Sequence, residues 1–334
     1  MRAFVLSGYG GPEHTSLRDV PAPAPRADEL LIRVHAAGLN PVDFKTRSGA
    51  LKVIRNYPLP IVMGNELAGV VEAVGASVTR FAPGDRVYAR VDKDHMGAFA
   101  EFAAVHEAHA ARMPTTLDFA AAAAVPLAAL TALQALRDEL QLSAGQRVFI
   151  PGGAGGVGTF AIQLAKHLGA HVATTASARG EALVRRLGAD VVIDYTRERF
   201  EDTLSGYDGA FDLMGGDTLE RTFAVVKRGG RVVSVAGVPE PVTARKDLGR
   251  GAGLAALFWL VSLKTRRLAA RHGVGYRFLF MHPSGADLET LATLIDGGNL
   301  EVVVDRVFPF DQAREAMAYL ETGRAKGKVV LALA

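Results

Sequence analysis

Short apolar runs broken by glycine and proline fill the first part of the chain, up to about residue 120. The segments 30–35, 68–75 and 86–89 are examples. Runs of this length bounded by turn residues are typical of strands in a compact, mostly β domain. Pro83 and Gly84 predict a tight turn between two of them, because proline fixes φ and glycine tolerates positive φ.

From Asp118 onward the pattern changes to alternating helix and strand. An alanine-rich stretch, 119–140, predicts one helix, and β-type runs then alternate with amphipathic ones. The predicted strands cover 146–151, 171–175, 191–193, 209–213 and 231–236, with helices at 157–168, 181–187 and 219–226. This alternation predicts a doubly wound α/β domain, in which helices cover both faces of a parallel sheet.

The last segments predict helix 287–295, strand 302–304, helix 311–320 and strand 328–333, which we expect to return to the first domain. A chain of 334 residues exceeds the size at which a single core stops growing, so we expect two domains. We place the β domain in 1–122 and 283–334, and the α/β domain in 123–282.

The composition, with 49% hydrophobic and 22% charged residues, is that of a globular protein. Cysteine is absent, which excludes disulfides, thiolate zinc sites and a thiol nucleophile. The N-terminus is read as a strand and not as a signal peptide, so we expect a cytoplasmic protein. The apolar run 252–263 is shorter than the ~20 residues of a membrane span, and we expect no membrane partner.

A glycine-rich turn, 152–158, stands between a predicted strand and a predicted helix. The start of a helix offers unpaired N–H groups and the positive end of its dipole to a pyrophosphate, and glycine lets the phosphate come close. The turn in this setting predicts a dinucleotide site. Its predicted contacts are Gly153, Ala154, Gly155, Gly156 and Val157.

The end of the next predicted strand distinguishes the two nicotinamide dinucleotides. An acidic residue at this position is typical of NAD-binding proteins, whereas the segment 174–179 contains no acidic residue. Ser177 and Arg179 suit a 2′-phosphate through charge-assisted hydrogen bonds, so we predict NADPH. Tyr195 either closes this pocket or caps the sheet edge, and a solvated surface position remains the alternative for Arg179.

Several sequence motifs are spread over nearly the whole chain. They are the segments 37–45, 64–69, 97–102 and 324–330, together with the glycine turn and the segment 161–166 that follows it. In these motifs the chain resembles the medium-chain dehydrogenase/reductase superfamily, specifically its zinc-independent quinone oxidoreductase and enone (2-alkenal) reductase branch. The resemblance implies a GroES-like β-barrel catalytic domain interrupted by a Rossmann domain, with the active site in the cleft between them.

The resemblance also implies roles for individual residues. Asn40 and Lys45 match positions near the nicotinamide half, and Lys328 matches a residue of the closing C-terminal strand. Pro126 and Thr131 match a helix start that faces the nicotinamide. The further cofactor contacts that we predict are Ala236, Phe280 and Met281.

The chain departs from the zinc alcohol dehydrogenases at the metal positions. Asn40 lies in the region of their first zinc cysteine, Asn65 replaces the histidine of their Gly-His-Glu motif, and their second cysteine has no counterpart. Zinc prefers thiolate and imidazole ligands. We therefore predict no metal and interpret Glu66 as structural.

Removing zinc disfavours direct alcohol chemistry. Hydride delivery to a quinone, or to the β-carbon of an α,β-unsaturated carbonyl, spreads charge onto an oxygen that hydrogen-bond donors can stabilise. We predict NADPH-dependent reduction of such substrates. The catalytic residue stays unassigned among Asn40, Lys45 and Tyr57, with Tyr88 and His95 also open as proton donors.

The insert 239–281 supports several interpretations. Its apolar helix, 253–263, is predicted either to cover the substrate pocket or to belong to the core. Its strand, 276–281, is predicted at the sheet edge, where the resemblance implies pairing across a homodimer. The basic run 264–271 motivates an alternative function, a nucleotide-gated RNA-binding protein, although it lacks interleaved aromatics. A zinc-type alcohol dehydrogenase is the third possibility.

Overall fold

The strands of the computed structural model, which describes residues 1–92 and 95–333, form three sheets in that part of the chain. The strands are β1 (Arg2–Leu6), β2 (Thr15–Asp19), β3 (Glu29–Leu39), β4 (Ile61–Val62), β5 (Glu66–Val74), β6 (Arg86–Arg90), β7 (Phe102–His106), β8 (Ala110–Arg112), β9 (Arg147–Ile150), β10 (His171–Ala176), β11 (Val191–Asp194), β12 (Tyr207–Asp212), β13 (Val226–Ser234), β14 (Gly275–Phe278), β15 (Val304–Pro309) and β16 (Lys328–Ala332).

The α-helices connect these strands or precede them. They are α1 (Pro41–Arg47), α2 (Phe119–Ala123), α3 (Pro126–Leu133), α4 (Gly156–His167), α5 (Ala178–Arg186), α6 (Phe200–Thr203), α7 (Gly216–Val225), α8 (Ala252–Val261), α9 (Leu263–His272), α10 (Gly285–Asp296) and α11 (Ala313–Glu321). Within the described residues, no helix combines the length and the apolar character needed to cross a bilayer.

The chain divides into two compact units. The first contains Met1–Leu130 and the segment from Pro283 onward, and the second is Thr131–His282. The first unit consists of the sheet β2-β1-β4 and the sheet β15-β16-β3-β5-β6-β8, with β7 also paired to β3. Its strands β3 and β16 run antiparallel, with Val330 opposite Gly38. This mixed β unit confirms the expected GroES-like fold, and it contains β16 and α11.

The second unit is built on a sheet with the strand order β11-β10-β9-β12-β13-β14. Every pairing between these neighbours is parallel. The order is that of a Rossmann sheet, in which ligands bind outside the carboxyl ends of the strands where the order reverses. This confirms the doubly wound prediction and places the reversal between β9 and β12.

Two predicted elements were wrong in their extent. The helix expected over 119–140 is interrupted between α2 and α3, and continues past α3 as π-helical turns over Gln134–Glu139. Pro126 explains the interruption, because proline lacks an N–H and disfavours the helical conformation of the residue before it. The strand expected over 302–304 is instead Val304–Pro309, whose side chains are mostly exposed or half-buried and so leave no apolar run in the sequence.

A buried ionic network ties the first part of the insert, residues 239–247, and the turns before β9 to the edge strand β14. Arg277 contacts Glu139 through Nε at 3.2 Å, Glu240 through Nη1 at 3.1 Å and Asp247 through Nη2 at 2.5 Å. Lys246 adds a contact of 2.6 Å to Glu139. One buried guanidinium therefore contacts a carboxylate from the turns before β9 and two carboxylates from the segment between β13 and α8.

Replacing Arg277 with alanine is expected to lower the free energy of unfolding by about 3 kcal/mol or more, because it leaves buried carboxylates without their cation. Chemical denaturation monitored by circular dichroism measures this change. Arg267→Ala, at an exposed position in α9, is the matched control and should change stability little. Equal effects of the two substitutions would contradict a stabilising role for the network.

Candidate active site

The glycine turn joins β9 to α4 at the point where the strand order reverses. Gly152 has a φ of +84°, in the left-handed region that favours glycine. A Cβ on Gly153 would lie 2.1 Å from Thr174 Oγ1, and one on Gly158 would lie 2.6 Å from the Gly152 carbonyl oxygen. Glycine at these two positions lets the turn pack against β10 and against itself.

The start of α4 is open to a ligand. A Cβ on Gly155 would meet only the Gly152 carbonyl oxygen, at 3.5 Å, and glycine at this N-cap position has no side chain that could cap the helix. The first N–H groups of a helix have no partner within the helix, and they attract anions together with the dipole. A shallow cradle of this kind fits the pyrophosphate of a dinucleotide.

The residues expected around a 2′-phosphate lie at the same end of the sheet. Ala176 of β10 pairs with Asp194 of β11, so Ser177 and Tyr195 follow at adjacent strand ends. Ser177 begins α5 without a side-chain cap, while Arg179 and Tyr195 are exposed. Asp194 accepts hydrogen bonds from the Thr196 hydroxyl at 2.7 Å and from the Thr196 backbone at 3.0 Å, and these bonds lower the pKa of its carboxyl.

Asp212, at the end of β12, positions the turns that follow β12 and β13. The sequence analysis did not predict this role. Its Oδ2 accepts a hydrogen bond from Ser234 Oγ at 2.6 Å, and its Oδ1 accepts from the backbone N–H of Gly215 at 3.0 Å. Burial raises the pKa of Asp212 against the lowering effect of these bonds. Ser234 Oγ in turn accepts from the Ala236 N–H at 3.2 Å, which positions that predicted cofactor contact.

The remaining predicted contacts of the second unit lie near its chain boundaries. Thr131 is buried within α3. Phe280 and Met281 follow β14 and are half-buried. The Phe280 N–H donates to Asp247 Oδ2 at 2.9 Å, so the Arg277 network also holds this segment.

In the first unit, Lys328, Asn40 and Glu66 form a buried cluster. The Lys328 ammonium donates to Glu66 Oε1 at 2.6 Å, to Asn40 Oδ1 at 2.5 Å and to the Leu39 carbonyl oxygen at 3.0 Å. Asn40 Nδ2 donates to the same Glu66 oxygen at 2.6 Å. The first residue of β16 is thus tied to the end of β3 and the start of β5, and the predicted residues Asn40 and Lys328 are brought together.

Glu66 is more than an isolated structural carboxylate. Its Oε2 accepts a hydrogen bond from the Leu127 N–H, in the first turn of α3, at 2.6 Å. A carboxylate is stabilised at this position by the unpaired N–H groups and the dipole of the helix. Gly38 makes room for it, because a Cβ there would lie 2.4 Å from Glu66 Oε1.

Asp43, Asn65 and Arg90 lie beside this cluster. The sequence analysis did not assign Asp43 or Arg90, and it considered Asn65 only as the replacement of a zinc ligand. Asp43 Oδ2 accepts from the Asn40 N–H at 2.7 Å, and its Oδ1 accepts from Asn65 Nδ2 at 2.6 Å. Burial raises the pKa of Asp43 to about 6 although both bonds lower it. Arg90 is buried and donates to the Asn65 carbonyl oxygen at 3.1 Å, and burial lowers the pKa of its guanidinium.

The candidate proton donors differ in exposure. Lys45 is exposed on α1, and His95 is also exposed. Tyr57 is buried, which raises the pKa of its phenol. Tyr88 is fully buried and its hydroxyl donates to the Leu288 carbonyl oxygen at 2.5 Å, so this tyrosine has a structural role.

The cluster is a poor zinc site. The ammonium of Lys328 lies within hydrogen-bond distance of both Asn40 Oδ1 and Glu66 Oε1, the oxygens that a metal there would use. A divalent cation at those atoms would be repelled by the ammonium, and zinc prefers thiolate and imidazole. Across the part of the chain that the structure describes, no group of three His, Cys, Asp or Glu side chains could hold a metal ion.

Comparison with known proteins gives consistent matches. Residues 26–115 match the alcohol dehydrogenase GroES-like domain, and residues 187–331 match the family described as zinc-binding dehydrogenase. The chain is 39% identical over 342 residues to the chloroplastic NADPH-dependent alkenal/one oxidoreductase of Arabidopsis thaliana, covering 99% of this chain and 79% of the relative.

Solved structures with the same fold span the whole chain. The quinone oxidoreductase from Coxiella burnetii aligns with a TM-score of 0.87 and 32% identity, covering 100% of this chain and 99% of that one. The Escherichia coli quinone oxidoreductase complexed with NADPH aligns with a TM-score of 0.84 and 26% identity, covering 100% of both chains.

Replacing Lys328 with methionine is expected to lower the free energy of unfolding by about 3 to 5 kcal/mol, because it leaves Glu66 charged and buried without its cation. Urea denaturation measures the change. Adding Glu66→Gln to this variant should recover part of the loss, which a double-mutant cycle quantifies as a coupling between the two residues. Lys326→Met is the nearby control, and additive effects of the Lys328 and Glu66 substitutions would refute the coupling.

Proposed function

Because this chain belongs to the medium-chain dehydrogenase/reductase superfamily, in its quinone and alkenal/one oxidoreductase branch, we propose that it reduces quinones or the C=C bond of α,β-unsaturated carbonyls with NADPH. One observation carries the proposal. The open start of α4 lies at the reversal of the strand order, and the end of β10 beside it offers Ser177 and Arg179 without an acidic residue.

The backbone N–H groups at the start of α4 would hold the pyrophosphate of NADPH, and the 2′-phosphate would lie against Ser177, Arg179 and Tyr195. Arg179 supplies a planar cationic fork that suits a phosphate. Bound NADPH supplies the hydride for the reduction. We propose that further contacts come from Asn40, Lys45, Thr131, Ala236, Phe280, Met281 and Lys328.

Two substrate classes are supported by the names of the relatives. The Arabidopsis relative is an NADPH-dependent alkenal/one oxidoreductase, and the two aligned structures from Coxiella burnetii and Escherichia coli are quinone oxidoreductases. Both reductions place negative charge on an oxygen, which buried donors and cations can stabilise. These relatives do not favour the RNA-binding alternative or the zinc alcohol dehydrogenase alternative.

We propose that the reaction proceeds without bound zinc, since an ammonium occupies the polar cluster. The Lys328 side chain is buried, and its three hydrogen bonds hold its nitrogen in place beside Asn40 and Glu66. The Tyr57 phenol is protonated near neutral pH, as a tyrosine ordinarily is, and burial raises its pKa further, so this residue can donate a hydrogen bond. Lys45 and His95 are the candidates that are exposed to solvent.

We also propose that the protein is cytoplasmic and forms a homodimer. β14 lies at the end of the strand order in the second unit. A strand at a sheet edge has unpaired backbone groups that can pair with a second copy across a two-fold axis. Sedimentation velocity of the purified protein distinguishes dimer from monomer.

The proposed activity is tested by NADPH oxidation with 2-alkenals, enones, quinones and simple ketones as separate acceptors. We expect turnover with members of the first three classes and little with simple ketones. NADH is measured in parallel and should be a poor donor. Equal rates with NADH would overturn the cofactor assignment, and activity confined to ketones or alcohols would overturn the substrate class.

Arg179→Asp is expected to raise the KM for NADPH by about tenfold or more, because it replaces a charge-assisted contact with repulsion of the 2′-phosphate. The KM for NADH should change much less, since NADH lacks that phosphate. Arg186→Asp, at an exposed position of the same helix α5, is the charge-matched control. A similar change in both KM values would remove Arg179 from the pocket.

A further inference from the structure

Helix α8 exposes apolar side chains over most of its circumference. Its sequence from Ala252 to Val261 contains no polar side chain, yet only Ala255 and Phe258 are buried. Four large side chains are substantially exposed: Leu257 41%, Trp259 51%, Leu260 62% and Val261 49%. The expectation that this helix belongs to the core is therefore wrong. A contiguous exposed apolar surface of this kind marks an interaction site.

Helix α9, which follows directly, is strongly basic. Lys264, Arg267 and Arg271 are exposed at a spacing of three and four residues, which places them on one face of the helix. Lys264 pairs with Glu220 of α7 at 2.5 Å. Arg267 and Arg271 make no ion pair with any described residue. The sequence between Asp247 and Asp287 contains no acidic residue, so the surface is positive.

The apolar and basic parts meet at Ser262. Arg266, in the first turn of α9, donates through Nη2 to the Trp259 carbonyl oxygen at 3.0 Å and through Nε to Ser262 Oγ at 3.0 Å. Its guanidinium lies 5.4 Å from the centroid of the Trp259 ring. A tryptophan and an arginine held together between apolar and charged surfaces have the chemistry of a residue pair at a lipid–water interface.

We propose that α8 and α9 form a docking surface for an anionic phospholipid bilayer. The apolar side chains of α8 would enter the boundary between head groups and acyl chains, and the basic face of α9 would contact the anionic head groups. Ten residues of helix are too short to cross a bilayer, so α8 lies in the interface. This revises the expectation of no membrane partner, which rested on the length of the apolar run alone.

The positive charge of α9 favours a bilayer over a second copy of the chain as the partner that covers this surface. An isologous contact through this surface would bring two basic α9 helices together, because the same residues meet across a two-fold axis. Like charges at an interface disfavour association. An anionic bilayer instead complements the positive charge and accepts the apolar side chains. Docking needs no turnover, so its test is independent of the proposed reaction.

Trp259 is the one tryptophan of this chain, so its fluorescence measures docking directly. The protein is titrated with vesicles of phosphatidylcholine alone and of phosphatidylcholine mixed with phosphatidylglycerol. We expect the tryptophan emission to shift to shorter wavelength and to be shielded from acrylamide only with the anionic vesicles. The protein should sediment with those vesicles, and added salt should weaken this binding.

Two pairs of substitutions separate the apolar from the ionic contribution. Leu257→Ser with Leu260→Ser, and separately Arg267→Gln with Arg271→Gln, should each lower the partition constant about tenfold or more. Val53→Ser and Arg324→Gln change exposed residues elsewhere in the chain and are the matched controls. Circular dichroism and thermal melting confirm that each variant is folded, and the arginine pair keeps the test decisive if the leucine pair unfolds.

Failure of the intact protein to bind anionic vesicles would overturn the proposal. Equal binding by all variants and controls would also overturn it. A third contrary outcome is that Trp259 is already shielded from acrylamide in buffer and that the leucine pair converts an oligomer to a monomer. That result would show that a second copy covers this surface.

Discussion

A buried ammonium needs anionic or dipolar partners, and this requirement shapes the first unit of the protein. Lys328 meets it through Asn40, Glu66 and the Leu39 carbonyl oxygen. These partners come from the end of β3 and the start of β5, so the last strand of the chain must lie beside them. Glu66 extends the same constraint to the start of α3. One charge therefore links the C-terminal strand, two central strands and a helix start.

The second unit depends on a different constraint, the close approach of backbone at the turn after β9. Gly153 and Gly158 contact atoms so near that a Cβ would collide with them. The turn can then pack tightly while leaving the first N–H groups of α4 directed outward from the sheet edge. Asp212 acts similarly at the end of the neighbouring strand β12, where its buried carboxyl group holds the turns that follow β12 and β13. The glycine turn and the Asp212 hydrogen bonds both lie at the carboxyl ends of parallel strands.

Ionic interactions in this protein have different purposes according to their surroundings. Arg277 is buried among carboxylates and holds residues 240–247 of the insert against β14. Arg267 and Arg271 are exposed next to an apolar helix, where their charge is available to a partner. The sequence shows the same residue type in all three positions, and burial alone separates a structural guanidinium from an interaction surface.

Local patterns in the sequence were sufficient to predict the doubly wound sheet, the dinucleotide turn and the choice of NADPH, because strand–helix alternation and glycine spacing reflect short-range geometry. The absence of cysteine likewise limited metal chemistry from composition alone. The sequence could not predict the cluster of Lys328 with Glu66 and Asn40, whose members lie 262 and 288 residues from the lysine. The sequence also could not show that α8 is exposed, since the same apolar sequence can form a helix in a core or on a surface. Only the tertiary structure decides which side chains meet and which remain open to solvent.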